Sequence, residues 1–144
     1  MKLSTRCRYG TRALTQIARN HGSGPTKRKD IARDHELSKG YLENILSALR
    51  TRRIVKAVRG ADGGFVLGRD PSQITLLEVA EALEGTIAPV ECVVDPARCE
   101  RSSSCAARRV WKRLYDAQVG VLSGITLRDM VEMEKEEQPM DWSI

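Results

Sequence analysis

Apolar residues recur at helical spacing through the first third of the chain. Ala13, Leu14, Ile17 and Ala18, with Tyr9 one to two turns upstream, predict a helix from Ser4 or Thr5 to about Arg19. Asn20-His21-Gly22-Ser23-Gly24-Pro25 ends it, because successive glycines and a proline do not sustain helical packing, and His21 is expected to be exposed there. A short second helix is predicted from near Thr26 to about Asp34, with Ile31 and Ala32 inward and Lys27, Arg28 and Lys29 in water. Ser38 then offers a hydroxyl to a free first-turn amide and begins a third helix to about Arg50, whose buried stripe is Leu42, Ile45, Leu46 and Leu49.

The period then changes. Ile54 to Arg59 alternates as a strand does, Gly60-Ala61-Asp62-Gly63-Gly64 is a flexible turn, and Phe65-Val66-Leu67 returns as the partner strand. The glycines lack the spacing and the following Lys-Ser/Thr of a nucleotide-binding loop. Pro71 closes the hairpin, and Thr75 with Glu78 forms a capping box before a helix that packs Leu76, Leu77, Val79, Ala80, Ala82 and Leu83 and stops at Gly85. A long helix follows over roughly residues 104 to 123, where Ala107, Trp111, Leu114, Gln118, Val121 and Ile125 alternate at four- and three-residue intervals like a coiled-coil seam. At about 1.5 Å per residue it is roughly 30 Å long and one-sided, which predicts a symmetric dimer covering the seam. Thr126 and Asp129 repeat the capping arrangement before a last helix with Leu127, Met130, Val131 and Met133; its acidic end is expected in solvent, Pro139 stops it, and Met140 to Ile144 form a tail.

Charge gives this mainly α pattern a direction. The net charge of +5 over 144 residues hides a split, since residues 1 to 72 carry sixteen Lys or Arg against six Asp or Glu and residues 73 to 144 carry eight against thirteen. The basic half contains the third helix, whose outer face offers Lys39, Tyr41, Glu43, Asn44, Ser47 and Arg50, a mixture suited to phosphates and base edges. Two short helices joined by a turn and followed by a hairpin read as a winged helix-turn-helix. With 41% apolar residues the chain has material for a core, and neither a signal-peptide run nor a stretch of about 20 apolar residues is present, so a cytoplasmic protein with reduced thiols and no membrane partner is expected. No second constellation resembles an acid/base pair, so an enzyme is not expected.

Three of the four cysteines, Cys92, Cys99 and Cys105, fall within fourteen residues, separated by segments of Pro, Asp, Ser and Arg. Thiolates at such intervals suit iron–sulfur iron or tetrahedral zinc, and the fourth ligand is the open question.

Arg8-Tyr9-Gly10, Ser38-Lys-Gly-Tyr41-Leu-Glu43-Asn-Ile-Leu, Val58-Arg59-Gly-Ala-Asp-Gly63-Gly64-Phe-Val-Leu-Gly68 and the three cysteines followed by Trp111 give the chain a resemblance, over nearly its whole length, to the regulator family of IscR, NsrR and CymR. The resemblance implies a homodimeric winged-helix transcription factor, a repressor by preference, that binds palindromic double-stranded promoter DNA. Its third helix would enter the major groove, with Ser38, Tyr41, Glu43 and Asn44 at reading positions, Lys39, Arg50, Arg52 and Arg53 toward phosphates, and Arg59 on a wing facing the minor groove. It also implies that Cys92, Cys99 and Cys105 hold an iron–sulfur cluster, with [2Fe-2S] and [4Fe-4S] both open. Here the chain departs from the pattern: Arg108 stands where IscR-like members place a histidine, and Arg8 where NsrR-like members place an aspartate. Cys7 reached from the partner subunit, Glu91, Asp95, Glu100 or a small molecule would complete the site. A zinc-stabilised or cluster-free regulator of sulfur metabolism is the alternative. The expected organisation is a winged helix-turn-helix over residues 1–85, a cluster loop over 86–106, a dimerisation helix over 104–125, and a C-terminal helix and tail over 126–144.

Overall fold

The computed structural model describes residues 2–137; Pro139 and the tail Met140 to Ile144 lie outside them. In chain order the elements are α1 (Thr5–Arg19), α2 (Arg28–Asp34), α3 (Lys39–Thr51), β1 (Val55–Val58), β2 (Gly64–Leu67), α4 (Leu76–Glu84), α5 (Glu91–Val94), α6 (Ala106–Ser123) and α7 (Leu127–Glu137). The architecture is mainly α with one two-stranded antiparallel sheet, the winged helix-turn-helix that the periodicity predicts.

α1 is the hub. Ser4 caps it by accepting from the Cys7 N–H at 3.1 Å, and the same serine donates through its N–H and hydroxyl to Glu84 Oε1 at 2.8 and 2.6 Å, which ties the start of α1 to the end of α4. Its inner face, Ala13, Leu14 and Ile17, is at most 2% exposed and meets the fully buried stripe Leu42, Ile45, Leu46 and Leu49 of α3. Each such leucine or isoleucine contributes roughly 1.5 to 3 kcal/mol of apolar transfer, so this packing fixes how α3 is presented. Buried Gln16 adds a polar tie: its Nε2 donates to Asp34 Oδ2 at 2.8 Å, and its Oε1 lies 2.9 Å from His35 Nε2. Burial pushes the His35 pKa down, so the neutral ring donates from Nε2 to that oxygen.

The wing pairs Val55 with Leu67, Lys56 with Val66, Ala57 with Phe65 and Val58 with Gly64. It is also stitched to the head, because Thr26 and Phe65 exchange two backbone hydrogen bonds of 2.9 Å. This bridge corrects the expected start of α2: Thr26 is extended and paired, so the helix begins at Arg28, and Lys27 and Arg28 are half-buried instead of lying in water.

Both expected capping arrangements form. Thr75 and Glu78 make a reciprocal box at α4, and Thr126 and Asp129 do the same before α7. The two starts lie side by side, since Leu76 N–H donates to Ile125 O at 2.9 Å and Leu127 N–H to Ile74 O at 3.0 Å. α7 thereby returns to the head, placing Leu127 and Val131 in the core.

The long helix forms over Ala106–Ser123, close to the expected 104 to 123, and the seam residue Ile125 falls just beyond it. Cys105 precedes it as N-cap, its Sγ accepting from the Arg108 N–H at 3.4 Å, and Gly124 ends it before Ile125. None of its residues is buried; Val110, Trp111 and Val121 are 56%, 41% and 61% exposed. The cysteine segment is also more ordered than its composition suggests, with α5 anchored by buried Val93 and a 3-10 turn at Pro96–Arg98.

Candidate nucleic-acid interface and cysteine loop

The exposed side of α3 is built from its N-cap outward. The Ser38 hydroxyl accepts from the Tyr41 N–H at 3.2 Å, and Lys39, Asn44, Ser47 and Arg50 are exposed on the helix, with Arg52 and Arg53 just beyond it. Tyr41 is half-buried, its ring edge-to-face with Tyr9 at 6.4 Å between centroids, so it packs α3 on α1 as well as bordering the outer face. Arg59 is exposed on the wing, where Gly60 takes a φ of 111° that turns the chain back toward β2. Among the described residues, none of Lys39, Arg50, Arg52, Arg53, Lys56 and Arg59 is held in an ion pair. Their charge is therefore available to a polyanion. Glu43 is different: its Oε2 lies 3.0 Å from Nη2 of Arg28.

The conjunction of an exposed α3, a wing anchored beside it and a row of unpaired cations is the geometry of a DNA-binding head. The Rrf2 profile, described as an iron-dependent transcriptional regulator, matches residues 3–133. The chain belongs to the Rrf2 family. It is 42% identical over 138 residues to the HTH-type transcriptional regulator CymR of Bacillus subtilis, covering 96% of this chain and 95% of that protein. The solved structure of that CymR, described as the global cysteine regulator of B. subtilis, superposes with a TM-score of 0.78 over 92% of this chain and 98% of the other. The structure of T. potens IscR is 33% identical, with a TM-score of 0.79 over 96% and 92%. This Rrf2 chain is accordingly a winged-helix, DNA-binding transcriptional regulator and not an enzyme. Among its described residues no helix is long and apolar enough to cross a membrane.

The cysteine loop of this Rrf2 protein starts at α5 with Cys92, passes Cys99 after the 3-10 turn, and ends at Cys105 capping α6. All three thiols are free and half-buried. Arg108, at the position where the IscR-like pattern has histidine, donates from Nε to the Cys92 carbonyl at 2.7 Å and fastens α6 to α5. Glu91 and Glu100 are exposed, and Asp95 accepts from the Ala97 N–H at 3.2 Å. Cys7 lies apart from the loop. It is 3% exposed in the core, where burial and then the neighbouring Glu84 carboxylate push its thiol pKa up.

Three free thiols are chemically suited to soft metal, yet among the described residues no three His, Cys, Asp or Glu side chains gather into a metal-holding group. Cys92, Cys99 and Cys105 are the residues that would hold an iron–sulfur cluster, to which they would supply thiolate ligands. The contact at this face that sequence reasoning missed is the ion pair of Arg28. Its partner Glu43 sits fifteen positions away on another helix, and no local pattern signals the pair.

Proposed function

We propose that this Rrf2 regulator is a homodimeric repressor that recognises a palindromic promoter site, each protomer laying α3 in a major groove and its wing toward the adjoining minor groove. The observation that carries the reading is the outer face of α3 with the wing beside it: Ser38, Tyr41, Glu43 and Asn44 near the helix start for base edges, Lys39, Arg50, Arg52 and Arg53 for phosphates, and Arg59 for the minor groove. Base-reading groups at the N-terminal part of a recognition helix, flanked by cations, match the way such helices enter a groove. The dimer is supported by α6, an 18-residue helix with exposed Val110, Trp111 and Val121 that a two-fold copy covers. Repression follows from occupancy, since a dimer seated on a promoter excludes polymerase from the same duplex.

The cysteine loop is the element proposed to receive the signal. The first reading is an iron–sulfur cluster on Cys92, Cys99 and Cys105, whose three free thiols are soft ligands for its iron. A cluster-free role in sulfur metabolism is the second reading, favoured by the 42% identity with a protein described as a global cysteine regulator.

The test is anaerobic purification with iron, zinc and sulfide analysis, followed by binding to a palindromic and a scrambled duplex at fixed salt. Specific binding is expected to exceed non-specific binding by about 10³-fold or more. Equal affinity for both duplexes would refute the reading. Trp111→Glu is expected to sediment as a monomer and to lose most of that specific affinity.

A further inference from the structure

We propose that Arg28 is a specificity-positioning residue: its guanidinium orients the Glu43 carboxylate for reading a base edge and couples the reading helix to the wing. This rests on α3 being the base-reading helix. Arg28 is the first residue of α2, yet its side chain crosses to two other elements. Nη2 meets Glu43 Oε2 at 3.0 Å, while the guanidinium carbon lies 5.3 Å from the centroid of Phe65 in β2. Phe65 is 2% exposed and locked by its backbone exchange with Thr26, so the ring is a fixed platform. The Arg28 side chain stays 42% exposed, so the ion pair stands at the surface where DNA would meet it, and its Nε has no acceptor among the described residues. The same residue walls a cleft of about 370 Å³ between α2 and the wing, with Val58, Arg59, Gly60 and Phe65.

The chemistry of reading gives this arrangement a purpose. A carboxylate presented to DNA is repelled by phosphates, and a bare one rotates among many orientations. Arg28 removes both handicaps by cancelling the charge locally and holding one oxygen. The other oxygen stays free to accept from an exocyclic amine, of which cytosine N4 is the major-groove example. A planar guanidinium resting on a ring fixes a direction that a lysine ammonium does not. Because the platform belongs to the wing, a wing displaced by DNA also displaces the reader.

The test uses the dimeric protein and duplexes in which every base pair of the site is varied, with affinity measured at constant salt for wild type, Arg28→Met, Arg28→Lys, Glu43→Ala and the double variant Arg28→Met/Glu43→Ala. Methionine keeps an apolar stem against Phe65, and urea unfolding checks that the variants fold. Arg28→Met is expected to reduce discrimination roughly fivefold or more at the pair that Glu43→Ala identifies, and to leave other positions unchanged. Lysine should restore it only in part, and Arg28→Met should add nothing in the Glu43→Ala background. If Glu43→Ala changes base preference while Arg28→Met does not, the positioning role is overturned and base reading by α3 stands. If Arg28→Met weakens all duplexes alike and lowers the salt slope in both backgrounds, Arg28 is a phosphate contact and the proposal is overturned. If Glu43→Ala leaves every preference unchanged, Glu43 does not read bases, and the role of Arg28 falls with it.

Discussion

Gly64→Ala tests how the wing is held. A Cβ on Gly64 would run into the carbonyl oxygen of Thr26, with Thr26 C at 2.7 Å and Lys27 Cα at 3.1 Å behind it. These are backbone atoms and have no rotamer in which to retreat. Relief requires Thr26 to move away from β2, which breaks its two 2.9 Å backbone hydrogen bonds with Phe65. Each is worth about 0.5 to 1.5 kcal/mol net, so the exchange costs roughly 1 to 3 kcal/mol. Stiffening the unfolded chain returns about 0.4 to 1 kcal/mol. A net loss of about 1 kcal/mol, and at most roughly 2.6 kcal/mol, is expected. The contrasting variant is Gly40→Ala on α3, where nothing lies within 4 Å of the added methyl and helix propensity predicts a gain of up to about 1 kcal/mol. Urea unfolding of both proteins reads the two signs, and amide hydrogen exchange at Thr26 and Phe65 reads the bridge directly. If Gly64→Ala matches wild type in midpoint and keeps both amides protected, the wing is not held by this close approach.

Three further outcomes follow from particular contacts. Under native conditions iodoacetamide should modify half-exposed Cys92, Cys99 and Cys105 and spare buried Cys7, whose raised pKa also lowers its thiolate fraction; peptide mass mapping that finds Cys7 labelled as fast as the others would contradict its placement. Hydrogen bonds from the Thr126 N–H and hydroxyl hold the Asp129 pKa below the ordinary aspartate range, so its contribution is present above that range and lost as pH falls through the depressed value. Asp129→Asn should therefore lower stability at neutral pH and flatten the acid limb of a urea-midpoint profile, and an unchanged profile would count against the cap. Arg52→Ala should weaken many duplexes alike and reduce the salt slope by roughly one ion; a slope identical to wild type would mark Arg52 as a solvated charge.

What was legible in the sequence is what is written over a few neighbouring residues. The Leu42, Ile45, Leu46 and Leu49 stripe, the Ser38 cap and the Thr75/Glu78 and Thr126/Asp129 boxes each lie within a turn or two, and each forms where expected. Contacts between distant segments were not legible. The Thr26–Phe65 bridge joins residues thirty-nine apart, and it shifts α2, anchors the wing and seats Arg28. α5 was missed because four residues are too few to show a period. The capping role of Cys105 at α6 was not foreseen, because cysteine is not among the usual N-caps. In the loop, sequence could count the thiols but could not say whether they converge, since convergence depends on the path between them.

The side-by-side starts of α4 and α7 make the head discontinuous along the chain. Everything from Leu76 to Ile125 is an excursion whose two ends are clasped by the Leu76–Ile125 and Leu127–Ile74 hydrogen bonds. Leu127 and Val131 complete the core of the head from beyond that excursion. α7 is thus the last neighbour that α1 receives along the chain. A fragment cut after α4 to isolate the head would leave that neighbour's place beside α1 open.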